Sequence, residues 1–177
     1  MVLVTDNVSE SILYILKQMK IKYKVIEPTI FDRFNEYNAK INVNFAKNWC
    51  LTMSKLEIYR MTQFKKLVFL DADILVLKNL DHLFELPHMT AAMDGEYFDI
   101  WPNNPHFNAG CLVIEPNVEE YDKIIKFIND FNIEEHNLLE CIADQELLNE
   151  YYKDWPDNTE LHLNKYYNIF PPYIQEE

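Results

Sequence analysis

Leu67-Val68-Phe69-Leu70-Asp71-Ala72-Asp73 is an apolar run without alternation that stops abruptly at two acids separated by one small residue. A strand exposed on one face alternates polar and apolar side chains, so the unbroken run predicts a central strand covered on both faces. In open α/β sheets ligands collect at the carboxyl ends of strands, which is where Asp71 and Asp73 stand. Hard divalent cations take oxygen ligands, commonly one or two carboxylates with water and substrate phosphates completing the shell. The D-x-D fits that chemistry; it also fits an acidic turn that caps the segment after it.

Outward from this strand, helices and strands alternate. Met1 to Val4 and Tyr23 to Ile26 read as strands, and between them Ile12, Leu13, Ile15, Leu16 and Met19 recur at helical spacing behind Ser9, a candidate cap. The polar, Asn-rich stretch from Pro28 to Trp49 reads as a loop with irregular helix. Trp49, Met53, Leu56 and Tyr59 predict a helix over 49–62 with one apolar face. Thr90 to Met93 and Cys111 to Ile114 read as strands. Glu119 to Asp130 reads as a helix with Tyr121, Ile124, Ile125 and Ile128 inward, and a last helix covers Ala143 to Tyr152. The alternation predicts a single α/β domain over 1–177 with a mostly parallel central sheet.

Composition narrows the partners. The 177 residues are 49% hydrophobic and 14% aromatic with only two Gly, the signature of a packed domain rather than a disordered chain. A formal net charge of -13, with no basic stripe, excludes a nucleic-acid partner. The same charge repels any diphosphate, so an anionic ligand of this kind needs a local cation. Gly95 and Gly110 are the only glycines, which rules out both the G-x-x-x-x-G-K loop and the G-x-G-x-x-G fingerprint. Cys50, Cys111 and Cys141 are far apart and lack a C-x-x-C pair, so they read as reduced core residues. No cationic leader and no membrane-length apolar run is visible, and the expectation is a cytoplasmic protein without a membrane span.

The blocks Ser54-Lys55-Leu56, Leu67 to Asp73 and Asn79-Leu80-Asp81-His82-Leu83-Phe84 resemble, in order and spacing, the glycogenin and galactinol synthase family of retaining nucleotide-sugar glycosyltransferases. Phe107-Asn108-Ala109-Gly110, followed by Val113 to Asn117, is similar to that family's acceptor-side strand, and Ala143-Asp144-Gln145-Glu146-Leu147-Leu148-Asn149 to its D-Q helix start. The resemblance implies a Rossmann-like nucleotide-diphospho-sugar transferase sandwich. It implies a UDP-hexose donor, UDP-glucose or UDP-galactose, and a carbohydrate, polyol or protein acceptor hydroxyl. It further implies Mn2+ or Mg2+ on Asp71 and Asp73, with Ala72 and Gly110 lining the donor site and Lys55 facing the phosphates or sugar. Asn108, Asp144 and Gln145 would contact the transferred hexose. Each has a plainer alternative: a solvated helix lysine for Lys55, a turn amide for Asn108, a helix cap for Asp144.

The resemblance also predicts features without a counterpart. Met1 falls at what looks like the family's second strand, so its first, uridine-contacting strand is expected to be missing. The late metal-binding His beside a Lys-Pro-Trp segment does not occur before Glu177, and His162 is the only late histidine. A shortened relic that binds nucleotide or a partner chain, possible as a homo-oligomer, is one rival reading. A haloacid-dehalogenase-like phosphatase, with Asp71 as nucleophile, is the other. Leu75 and the absence of a Gly-Asp acidic motif among only two glycines count against it.

Overall fold

The computed structural model describes residues 1–29, 31–41, 51–94, 106–135 and 141–169. They form two compact units, 1–57 with 136–143 and 58–135 with 144–177.

In the first unit, strand β1 (Val2–Thr5) pairs in parallel with β2 (Tyr23–Ile26), and helix α1 (Glu10–Gln18) connects them. A parallel pair needs such a crossover, and the strand, helix and strand are those the sequence predicts. Of the apolar residues read at helical spacing, Ile12, Ile15 and Met19 are exposed and Leu13 and Leu16 half-buried, so α1 buries none of them fully. The stretch expected to be irregular contains a regular helix, α2 (Asp32–Ile41). No Gly or Pro interrupts it, and Asn38 is buried with its amide on both backbone groups of Ile142, each bond 2.7 Å. Trp49 and Cys50 lie outside the described residues. The remainder of that predicted helix is a 3₁₀ segment, Thr52–Arg60, crossing the unit boundary. Met53, Leu56 and Tyr59, all buried, are spaced by three, the repeat of a 3₁₀ helix, so one stripe is sheltered in this geometry too.

The second unit is built on a four-stranded sheet in the order β3-β5-β4-β6, with β3 Leu67–Leu70, β4 Thr90–Met93, β5 Phe107–Ile114 and β6 His162–Leu163. β4 and β6 are parallel, while β5 is antiparallel to both β3 and β4. Strands β3, β4 and β6 therefore share one direction, as the α/β alternation predicts, and β5 is the reversed insert. The sequence predicts no helix between β4 and β5, and a parallel return would need such a crossover. Among the described residues β3 is an edge strand, half-buried along its length, which corrects the central, doubly covered strand read from its apolar run. Val68 and Leu70 pack toward Leu83, Cys111, Val113 and Leu163. Its apolar content thus serves a core on one side.

Helix α3 (Val118–Asp130) is capped by Asn117, whose side chain accepts from the backbone N–H of Glu119 and Glu120, and it buries Ile124 and Ile128. Helix α4 (Asp144–Tyr151) packs on β5 and against α3. Behind β4, Tyr152 donates to Glu120, and Trp155 donates from Nε1 to the Met89 carbonyl at 2.8 Å.

His88 sits among Tyr59, Tyr152, Glu115, Glu120 and Lys66, and its Nδ1 accepts the Glu115 N–H at 3.0 Å. Burial holds its pKa below the usual value, against the pull of Glu120 and Glu115, with Lys66 adding to the lowering. The unfolded chain therefore takes up this proton before the folded one does. Stability is full above the ordinary histidine pKa of about 6.5 and is lost as pH falls from there through the lowered folded value. Urea midpoints measured between pH 7.5 and 5.5 should fall further for the unsubstituted chain than for His88→Gln. Equal falls would refute the assignment.

Candidate functional site

Of the sequence-selected polar residues, the second unit brings Asp71, Asn108 and Gln145 together at one end of its sheet, while Lys55 belongs to the first unit. Asp71 follows the carboxyl end of β3 and Asp94 follows that of β4, and because β5 runs the other way its first residues, Phe107 to Gly110, lie at the same edge. β6 ends nearby, and a 3₁₀ turn over Lys165–Tyr167 delivers Asn168.

The D-x-D forms a turn in which Ile74 N–H donates to the Asp71 carbonyl at 3.2 Å, while Asp71 N–H continues the sheet by donating to the Gly110 carbonyl at 2.8 Å. Asp71 is half-buried, and Ala72 and Asp73 are exposed. The first acid is thus anchored to the sheet and the second faces solvent.

Between β4 and β5 the register slips: Ala91 faces Leu112 but Met93 faces Phe107, two steps on β4 against five on β5. The extra residues carry the Asn108-Ala109-Gly110 block, whose backbone donors need partners outside the β4 ladder. Side-chain amides supply them. Ala109 N–H donates to Gln145 Oε1 at 3.0 Å and Gly110 N–H to Asn108 Oδ1 at 2.8 Å. Asn149 brackets Phe107, accepting its N–H and donating to its carbonyl, both at 2.9 Å. Gln145 and Asn149 are four residues apart on α4 and so share one helix face.

The two amides then converge on one carboxylate. Asn108 Nδ2 donates to Asp94 Oδ1 at 3.2 Å, and Gln145 Nε2 donates to Asp94 Oδ2 at 3.0 Å. Asp94 also donates its own N–H to the His106 carbonyl at 2.7 Å. Asp94 is not among the residues singled out from the sequence, although it carries the signal used for Asp71: an acid directly after a strand. Asn168 is not among them either, and nothing local marks it. Its Nδ2 donates to Asn108 Oδ1 at 2.6 Å.

Gly110 is required here by space. A Cβ at this position would lie 3.0 Å from Asn108 Oδ1, 3.2 Å from Asn168 Nδ2 and 3.2 Å from Asp71 Oδ2. These distances are below ordinary carbon contacts, and Asn108 Oδ1 and Asn168 Nδ2 are hydrogen-bonded to each other. Gly110→Ala should lower stability by about 1–3 kcal/mol, the usual cost of overpacking, readable as a drop in the urea midpoint. An unchanged midpoint would mean that the cluster is loose.

Asp144, the first residue of α4, is only 5% exposed, with its Oδ2 fully buried. It sits at the positive end of that helix, which suits a carboxylate. Lys55 is half-buried on the 3₁₀ segment of the first unit. Cys111, beside Asp71 on the neighbouring strand, is kept a neutral thiol: burial, with the Asp71 charge adding, pushes its pKa up to about 11.

No group of three or more His, Cys, Asp or Glu side chains that could hold a metal ion occurs among the described residues. The donor set at the end of β3 is two aspartates on one turn, with Asp71 Oδ2 beside the bare Cα of Gly110. That matches the open mode of Mg2+ or Mn2+, in which one or two carboxylates leave room for water and phosphate oxygens, and does not match a closed four-ligand site. Among the described residues no helix is long and apolar enough to cross a membrane.

The family model described as Glycosyl transferase family 8 matches residues 1–177. Glycogenin-1 of Caenorhabditis elegans is 39% identical over 131 residues, 73% of this chain and 28% of that protein. Human glycogenin-1 is 30% identical over 169 residues, 95% of this chain and 44% of that protein. An Arabidopsis thaliana relative, whose name describes a UDP-glucuronate:xylan alpha-glucuronosyltransferase, is 35% identical over 102 residues, 58% of this chain and 16% of that protein. The chain thus spans less than half the length of each of these relatives.

Proposed function

The chain belongs to glycosyl transferase family 8, and from that premise we propose that residues 1–177 form the donor-handling part of a hexosyltransferase. It moves glucose or galactose from a UDP-sugar to the hydroxyl of a carbohydrate, polyol or protein acceptor, with retention of configuration. One observation supports this above all: Asp71, Asp94, Asn108, Gly110 and Asn168 meet, with Gln145, at a single sheet edge in a linked hydrogen-bond network.

In the reaction the bond from the sugar's C1 to the diphosphate oxygen breaks and UDP leaves with the electron pair. A bond from the acceptor oxygen to C1 replaces it, and the acceptor proton is released. Mn2+ or Mg2+ on Asp71 and Asp73, when bound, supplies positive charge beside the diphosphate, which a chain of net charge -13 would otherwise repel. The protein's own groups do the positioning. The Asn108 and Gln145 amides each give one N–H to Asp94, and each NH2 carries a second hydrogen for a sugar hydroxyl. Asp144 offers a buried negative charge to the positive character that develops at C1. Ala72 and Gly110 present small surfaces to the nucleotide sugar. We place the protein in the cytoplasm.

The test is mass-spectrometric detection of hexose transfer from UDP-glucose or UDP-galactose with Mn2+, using Asp73→Ala as control. Transfer that depends on Asp73 supports the reading. Donor binding without transfer would favour a nucleotide-binding relic instead. Phosphate trapping on Asp71 without donor binding would favour a phosphatase, a reading the family match already disfavours.

A further inference from the structure

Asn108 accepts two hydrogen bonds on one oxygen. Oδ1 receives the Gly110 N–H at 2.8 Å and Asn168 Nδ2 at 2.6 Å, while Nδ2 donates to Asp94 Oδ1 at 3.2 Å. A carboxamide turned by half a circle would set its NH2 against two N–H donors and its oxygen against a carboxylate. All three contacts would then be repulsive. A carbonyl oxygen has two lone pairs, and both are taken. What Asn108 can still offer a ligand is one N–H.

The donor of the second bond comes from a distant part of the chain and is itself tied down. Tyr167, the residue before Asn168, shares a hydrogen bond of 2.7 Å with His82 Nε2, and their rings lie 5.7 Å apart. Tyr167 also packs on the cluster around Leu83 and Leu163, and its N–H donates to the Asn164 carbonyl at 3.0 Å. The turn that carries Asn168 is therefore held on the residues that follow the D-x-D and on β6.

We propose that Asn168 is a positioning residue: by filling the second lone pair of Asn108 Oδ1 it fixes that amide in one orientation and makes Asn108 a hydrogen-bond donor, never an acceptor, toward the bound sugar. This rests on the hexosyltransferase reading for its use, but not for its geometry. It names a residue that acts through Asn108 rather than by touching substrate. It also links the end of β6 to the donor site, so the last described segment sets the site's hydrogen-bond polarity.

Two arms test it. In the first, without any donor, the protein is labelled uniformly with 15N and the Asn108 NH2 and Gly110 amide signals are followed in Asn168→Ala and Asn168→Asp. The second variant keeps the shape and removes the N–H, which guards against a folding failure of the first. Both signals should move together in either variant; signals that stay in place overturn the proposal. In the second arm, sugar transfer is measured in a cycle with Asn108→Ala. Asn168→Ala should lower turnover about tenfold, through a misplaced contact group, with the donor KM changed much less. It should have no further effect once Asn108 is already Ala; losses that multiply would overturn the proposal. An unsubstituted chain that transfers no sugar would sink the function reading alone, because the donor-free arm still decides the role of Asn168.

Discussion

Replacing Asp71 with Asn should remove metal-dependent UDP binding, with the affinity measured in Mn2+ falling about 100-fold, a loss near 2.7 kcal/mol. The substitution keeps shape and takes away charge. Asp71 is fixed by its backbone bond to Gly110 and has Oδ2 beside the one position on β5 where a side chain is missing. A neutral amide there is a poor ligand for a hard cation, and water with Asp73 alone would have to hold it. The remaining charge of the chain, -13 before the substitution, then works against the diphosphate with little to offset it. Calorimetry of UDP binding, with and without Mn2+, reads this directly. Equal affinity in the two proteins would show that the pair of acids is only a turn.

Asp94→Asn should cost catalysis more than it costs folding, with kcat/KM falling about 5- to 150-fold, the equivalent of roughly 1–3 kcal/mol for one unsatisfied polar group. Each carboxylate oxygen of Asp94 accepts from a different amide, Asn108 on one and Gln145 on the other. An amide at position 94 can accept on one side only. Its NH2 must face the NH2 of Asn108 or of Gln145, and one of the two amides has to turn or withdraw. Those amides also satisfy the Ala109 and Gly110 N–H groups in the slipped part of β5, so the displacement reaches the backbone of the site. Transfer kinetics read beside urea denaturation separate the outcomes. A kinetic loss no larger than the stability loss predicts would argue that Asp94 is scaffolding.

Much of the site is legible in the sequence, for a chemical reason. An acid pair where an apolar run ends, an Asn two residues before a rare Gly, and an Asp-Gln pair opening a helix are local patterns, and each falls in the element expected of it. Asp94 carries a comparable signal but does not stand out, because a lone acid after a strand is common. Asn168 has no local mark, since its importance lies in a partner 60 positions away. The departures in fold have the same origin. The apolar run of β3 announces a strand but not its place at the sheet edge, because place depends on which strand pairs with it. The apolar stripe of α1 announces a helix but not a covering for it, and Ile12, Ile15 and Met19 are exposed.

By itself, then, the order of residues determined the class of fold, the ends of most strands and helices, and which side chains are candidates for handling a cation and a sugar. These follow from short-range periodicity and from side-chain chemistry, which neighbours in the chain express. Tertiary structure alone decided that β5 runs backwards between β3 and β4, that its register slips at Asn108 to Gly110, and that the amides of Asn108 and Gln145 answer to one carboxylate. Strand pairing and hydrogen-bond satisfaction join groups far apart in sequence, and their geometry exists only once the chain has closed on itself.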